Sequence, residues 1–220
     1  MRTLTELIDI AEPALPLIRE WLAEATRPCE VLSPSETRRD VLIELQVTTR
    51  SPLGAVAFET GGMLVDHGWL RILGAGNPKL PRNLAEWNRG RSSGYLLVAD
   101  DVVGGFFAVN GGSLGNDPGS MYYWAPDTLK WEALKISYSD FIRWAVGDKP
   151  SVFYRDFRWI NWESDVKKAN GDECFTFYPF LWAKEGSVES SSRKLVSVSE
   201  QYALNVELAA KFNAPETRPL

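Results

Sequence analysis

The sequence predicts an α+β fold: an antiparallel or mixed sheet laid down as a meander, flanked by helices, with a helix–strand–helix extension at its C-terminal end. Three observations predict it. Between Gly94 and Trp144 four short apolar runs follow one another: Tyr95–Ala99, Phe106–Val109, Met121–Trp124 and Leu129–Ala133. Asp100-Asp101, Gly104-Gly105 and Ala125-Pro126-Asp127 separate them. Such turn-forming punctuation is too closely spaced for the long amphipathic helices of a bundle. On either side of the meander, apolar residues recur instead at helical spacing.

The elements follow in order. Thr3 and Glu6 fit a capping box for a first helical turn. Pro13 opens a longer helix, with Leu17, Ile18, Trp21, Leu22 and Ala25 on one apolar face. Pro16 falls in its first turn, where proline costs least, and Pro28 ends it. Ser33-Pro34-Ser35-Glu36 is the next start signal, for a helix carrying Val41, Leu42 and Leu45. Residues Val47–Arg50 are more β-like. Ser51-Pro52 begins a short helix through Phe58, stopped by Gly61-Gly62. Short strands are expected over about Met63–Val65 and Trp69–Leu73, and a single helical turn over Asn83–Trp87. After the meander, Ser139 caps a helix carrying Phe141, Ile142 and Ala145, which stops near Gly147 and Pro150.

Residues 1–150 form the α+β domain, and residues 151–220 form an extension packed on it. In the extension Trp159, Trp162, Val166 and Ala169 stand at i, i+3, i+7 and i+10, which is helical, with Asn170-Gly171 as C-cap. Cys174–Trp182 reads as a strand bent or held at an edge by Pro179. The serine-rich stretch Lys184–Lys194 reads as a loop. Ser197 with Glu200 is a capping box for a last helix through about Phe212.

Composition narrows the function classes. With 45% hydrophobic and 24% charged residues the chain is an ordinary globular one. Its nine Trp are spread along the sequence and read as core anchors more than as one patch. A net charge of -5 argues against nucleic acid, whose phosphates are neutralised by Lys and Arg. The meander itself carries Asp100, Asp101, Asp117, Asp127, Glu132 and Asp140 against Lys130, Lys135 and Arg143, a balance that suits a basic protein partner. No run is long enough to span a membrane, and the first residues lack the uninterrupted apolar stretch of a signal peptide, so a cytoplasmic location is expected. Cys29 and Cys174 are expected to be unpaired thiols. No cofactor is implied.

Candidate chemistry is sparse. The single histidine, His67, lies in Asp66-His67-Gly68-Trp69, and every histidine-dependent mechanism must pass through it. A multi-histidine metal site is excluded by counting. Neighbours on a strand point to opposite faces, so Asp66 and His67 are not a dyad by adjacency. Gly74-Ala75-Gly76 follows an apolar strand, but Lys79 stands where the last glycine of a dinucleotide fingerprint falls, and Pro78 and Pro81 spoil the helix start. Asp100 and Asp101 read first as solvated turn formers, second as an acidic rim for a partner, and last as paired acids for hydrolysis or metal. Tyr122 and Trp124 share one face of their strand and Tyr123 has the other, so an outward ring can anchor an interface. The expected partner-binding set is Asp100, Asp101, Tyr122, Trp124 and Asp127. The alternative is a cleft of Asp66, His67 and Trp69, serving a small ligand, a sugar or an unrecognised hydrolysis.

The order of these elements carries a family likeness. Gly61-Gly62 after a helix, the Leu70–Gly74 strand, Gly94–Asp101, Gly104–Val109, Met121–Trp124, Trp131 and the helix around Phe141 together resemble the SUKH (Smi/Knr-like) superfamily over Ser33 to Ala145. The segments TGGMLVDHGWLRILGAG and FRWINWE resemble a bacterial branch described only as a domain of unknown function. The resemblance implies an α+β sheet flanked by helices and a non-enzymatic role. Bacterial members are regarded as immunity proteins that bind and neutralise secreted toxins, and fungal members as regulatory interaction modules. The expectation is a non-catalytic protein-binding module, monomeric or homodimeric, whose partner is a protein such as a basic toxin domain.

Overall fold

Seven strands follow one another across a single antiparallel sheet in strict chain order, so every neighbour in the sheet is a neighbour in sequence. They are β1 (Cys29–Leu32), β2 (Gly62–Val65), β3 (Leu70–Leu73), β4 (Tyr95–Asp101), β5 (Phe106–Asn110), β6 (Ser120–Ala125) and β7 (Lys130–Ser137). The computed structural model describes residues 1–213. The expected meander is present, and the protein is α+β.

Helices α1 (Leu4–Leu7) and α2 (Leu15–Ala23) precede β1, and α3 (Arg38–Leu45) and α4 (Pro52–Glu59) precede β2. Helix α5 (Leu84–Asn88) lies between β3 and β4, and α6 (Tyr138–Val146) follows β7. Their ends obey local chemistry. Thr3 and Glu6 form the capping box, Ser51 Oγ accepts from Gly54 N, Asn83 Oδ1 from Glu86 N, and Ser137 Oγ from Asp140 N. The last of these moves the start of α6 to Ser137 from the expected Ser139. The start expected at Ser33 is also displaced, because α3 begins only at Arg38. The segment is held by tertiary bonds instead: Ser33 O accepts from Asn77 Nδ2 at 2.9 Å, and the Ser35 hydroxyl donates to Ala75 O at 2.6 Å.

Register assigns the two faces of the sheet. Phe107 and Tyr123 are paired and face α6, with ring centroids 4.7 Å apart and Phe141 4.9 Å from Phe107. Phe106 pairs with Trp124 and faces the other way, toward Trp87 of α5. Helices α2, α4 and α6 pack on one another beside the first face. The core between them holds fully buried Ile18, Val56, Ile72, Phe107 and Phe141.

The C-terminal extension contains α7 (Lys149–Phe153), α8 (Trp162–Val166), β8 (Glu173–Tyr178), β9 (Ser192–Ser197) and α9 (Val198–Asn213). β8 and β9 make a separate two-stranded sheet. The Ser197–Glu200 capping box starts α9, and β8 ends just before Pro179. Several details differ from expectation: α8 ends at Val166 with Lys167 as its C-cap, so Asn170-Gly171 does not close it, and the strand expected over Cys174–Trp182 stops at Tyr178. The loop expected over Lys184–Lys194 turns into β9 at Ser192. Trp159 is not helical either: Asn161 sits at φ 66° ahead of α8, and the Trp159 ring packs edge-on against Phe175 at 5.2 Å.

Candidate functional site

Asp100 and Asp101 lie at the end of β4, and both are fully buried. The first two readings of the pair, solvated turn and acidic rim, are therefore corrected: no partner can touch these carboxylates. Alternation along the strand sends the two side chains to opposite faces, so they are not paired acids either, and each has its own set of partners.

On the face of Phe106, Asp100 is held between two arginines. Arg71 stands opposite it on β3 and bonds it at 2.5 Å, and Arg82 bonds it at 2.5 Å. Arg71 also donates to the carbonyls of Asp101 and Glu173. Arg82 reaches Gly171 O at 2.8 Å and Asp172 at 2.7 Å, with its guanidinium 4.8 Å above the Trp87 ring. These charges balance, and the extension closes over them. A charge left unpaired at such depth would cost several kcal/mol. The arrangement is a clasp that ties the start of β8 to β3 and β4.

On the opposite face, Asp101 Oδ1 accepts from Gly105 N at 2.8 Å and Val103 N at 3.1 Å, and Oδ2 accepts from Tyr123 OH at 2.8 Å and Tyr154 OH at 3.1 Å. A side chain at Gly105 would run into Tyr123 OH and the Asp101 carboxylate, so the bond from Gly105 N requires glycine. Burial pushes the Asp101 carboxyl up to about 6, against the donors that lower it. The same burial, with Asp101 beside them, holds the Tyr123 and Tyr154 phenols well above their ordinary range.

The Asp66-His67-Gly68-Trp69 segment is a tight turn between β2 and β3. Asp66, His67 and Gly68 all have positive φ, at 52°, 64° and 89°. Asp66 is bound by Arg27 at 2.6 Å and by Arg158, and Arg27 also caps the end of α6 at Gly147 O. Arg158 stacks 4.2 Å over Trp162 and 5.1 Å over Trp69. The expected cleft is corrected here, because Trp69 is fully buried beneath Tyr154, Trp159 and Trp162 and offers no face to a ligand. Only His67 is exposed. It borders an open hollow of about 450 Å3 shared with Cys29, Glu30 and Lys167. Burial raises the Cys29 thiol to about 11, so this hollow holds no thiolate at neutral pH. Among the described residues no group of three His, Cys, Asp or Glu side chains could hold a metal ion.

The remaining predicted residues are dispersed. Tyr122 is buried, and its hydroxyl donates to Asp117 at 2.6 Å, which lowers the Asp117 carboxyl. Trp124 is half-buried beside Trp131, 5.2 Å away and edge-on. Asp127 is exposed in the β6–β7 turn. The five residues of the expected partner-binding set do not form one surface.

A larger concavity lies elsewhere. A groove of about 650 Å3 runs beside β7, between α2 and α6. Half-buried Trp21, Trp144 and Ile136 line it, and exposed Glu24, Asp140, Arg143, Asp148 and Lys149 surround them. Leu17, one turn before Trp21 on α2, is 43% exposed. Sequence reasoning placed Trp21 on an apolar helix face and stopped there. The missing signal was tertiary, because α2 touches α4 and α6 but turns the edge of that face toward the groove.

The chain belongs to the family described as "Protein of unknown function DUF2625", whose model matches residues 4–201. It is 43% identical over 216 residues to the uncharacterized Escherichia coli K12 protein YbfG, covering 96% of this chain and 99% of that one. It is 39% identical over 222 residues to an uncharacterized protein of Haemophilus influenzae, covering 97% of each. Both relatives come from bacteria. No solved structure matches. Among the described residues no helix is long and apolar enough to cross a membrane.

Proposed function

We propose that this protein is a protein-binding module and that its docking site is the groove between α2, β7 and α6. One observation carries this: two tryptophans and an isoleucine, none fully buried, meet in one groove of about 650 Å3 and are ringed by charges of both signs. Tryptophan at the centre of an apolar depression is among the residues that dominate protein interfaces. A polar rim around an apolar floor is the anatomy of such interfaces. The net charge of -5 favours steering of a basic partner, while the contact itself is apolar. A toxin-neutralising role is the specific form suggested by the likeness of Ser33–Ala145 to SUKH domains.

The test is capture from the source cells with three baits: the native chain, Trp21→Glu, and the rim variant Arg143→Glu/Lys149→Glu. Both rim positions are exposed, so the last bait keeps its fold. The expected result is one stoichiometric protein held by the native chain and lost from both variants. Equal recovery by all three would remove the groove from the proposal.

A further inference from the structure

β7 is the last strand of the sheet, and it is eight residues long. Its inner edge pairs with β6. Among the described residues, no other backbone bonds to its outer edge. Five of its residues, Lys130, Glu132, Ala133, Lys135 and Ser137, are exposed. The opposite margin, β1, is only four residues long. Over Lys130–Ala133, where its register with β6 is regular, this open edge presents a row of backbone donors and acceptors at strand spacing. The chemistry that satisfies it is another extended backbone.

From this edge, and resting on the reading of the groove as a protein-docking site, we infer that the bound segment is an extended strand that adds to β7 as an eighth strand of the sheet. The groove supplies the second half of the argument. Ile136 belongs to β7 and also lines the groove with Trp21 and Trp144. A strand laid along β7 therefore turns alternate side chains toward that apolar floor. The intervening side chains fall beside half-buried Trp131, which shares its face with Trp124. Main-chain bonds then supply affinity, and alternate side chains supply selection.

Charge narrows the occupant further. Lys130, Glu132 and Lys135 interleave along the edge, and the rim sets Glu24, Asp140 and Asp148 against Arg143 and Lys149. Neither array selects strongly for one sign, so the segment is apolar at alternate positions and close to neutral. A second copy of this chain is a poorer occupant. The irregular register at Lys135, where φ is 56°, confines regular pairing to Lys130–Ala133, a ladder too short to hold two folded copies by their edges, whereas a free segment can pair there and also fill the groove beside Ile136.

The experiment is selection of displayed random peptides of about ten residues, enough to run the length of β7, against the full chain. Binders are then re-synthesised with N-methyl groups at each position in turn. Expected is a set of peptides with apolar residues at every second position, released by Trp21→Glu. N-methylation should weaken binding about tenfold at alternate positions and little between them, the loss of one hydrogen bond at a time. Helical binders, with apolar residues at i, i+3 and i+4 and no alternation in the N-methyl series, would overturn strand addition while leaving the groove a docking site. Failure to enrich any Trp21-dependent peptide would overturn both. A dimer in sedimentation, competed apart by the selected peptides, would make a second copy the occupant and overturn the assignment to a foreign strand.

Discussion

Substituting Asp101 by Asn tests the most unusual feature of this interior, a fully buried carboxylate that no cation contacts directly. Burial raises its proton affinity from the ordinary 3.8 to about 6. At about 1.4 kcal/mol per pH unit, the difference amounts to about 3 kcal/mol. The sign follows from where the proton is held more tightly. Above pH 6 the carboxyl is ionised in both the folded and unfolded chains, and the folded state bears the whole cost of burying the charge. As pH falls through 6, the folded state takes up a proton that the unfolded state does not yet hold. Near pH 4 the unfolded state follows, and the difference is gone. The contribution of Asp101 to stability therefore rises by about 3 kcal/mol as pH falls from about 7 to about 4. Carboxyls lowered by hydrogen bonds, such as Asp117 and Asp165, act in the opposite direction. They are common to both proteins and cancel in the comparison. The assay is urea unfolding followed by tryptophan emission at intervals from pH 4 to 7.5, for the native chain and Asp101→Asn. The quantity read is the difference between the two unfolding free energies. It should move in favour of the native chain by about 3 kcal/mol on acidification. A flat difference would show that the folded carboxyl titrates at its ordinary value. A difference of opposite sign would show that the bonds from Gly105, Val103, Tyr123 and Tyr154 outweigh burial, and the reasoning would fail.

Two further outcomes are expected of the buried clasp and the thiols. Arg71→Met leaves Asp100 with Arg82 alone and takes a donor from the carbonyls of Asp101, which keeps Gly104 N, and Glu173, so it should destabilise the fold by about 3–5 kcal/mol in chemical denaturation; a loss below about 1 kcal/mol would show that Arg82 suffices. Cys174 is fully buried with its thiol pushed up to about 12, and Cys29 is half-buried at about 11. Neither should be alkylated by iodoacetamide at pH 7.5 in native protein within the time that labels both in urea, as mass spectrometry would show.

How much of this was legible beforehand depends on whether the deciding contact is local. The meander was, because its signal is the spacing of apolar runs, and the four runs fall within β4 to β7, apart from Leu129 one residue ahead of β7. Capping at Thr3, Ser51, Asn83 and Ser197 was legible for the same reason, since a cap closes within three residues. β1 was not: it has four residues, follows Pro28, and exposes Glu30 and Val31 in succession, so no alternation marks it. β9 was hidden in a serine-rich stretch, because its partner β8 lies across the loop after Pro179. Asp100 and Asp101 were misread because their partners are distant in sequence. Arg71 becomes the neighbour of Asp100 only once β3 and β4 are in register. One clue was present. Leu70-Arg71-Ile72-Leu73 places a guanidinium inside a wholly apolar strand, and a buried strand that carries a charge demands an opposite one. The strand with a double Asp was the place to look for it.

The distribution of charge also explains why the groove, and not the acidic pair, is the surface left for a partner. Asp100 with Arg71 and Arg82 binds the start of β8 to the sheet. Asp101 binds Tyr154, which follows α7, and Asp66 gathers Arg27 and Arg158, from before β1 and after α7. All three carboxylates are thus consumed in fastening the chain beyond residue 150 to β2, β3, β4 and their turns. That half of the sheet is covered as a result. The covering chain does not extend over the outer edge of β7, whose residues remain exposed beside the groove. An interior that uses its buried charge to fasten the extension onto β2, β3 and β4 leaves β7 as an edge where backbone and apolar side chains are still available to a second chain.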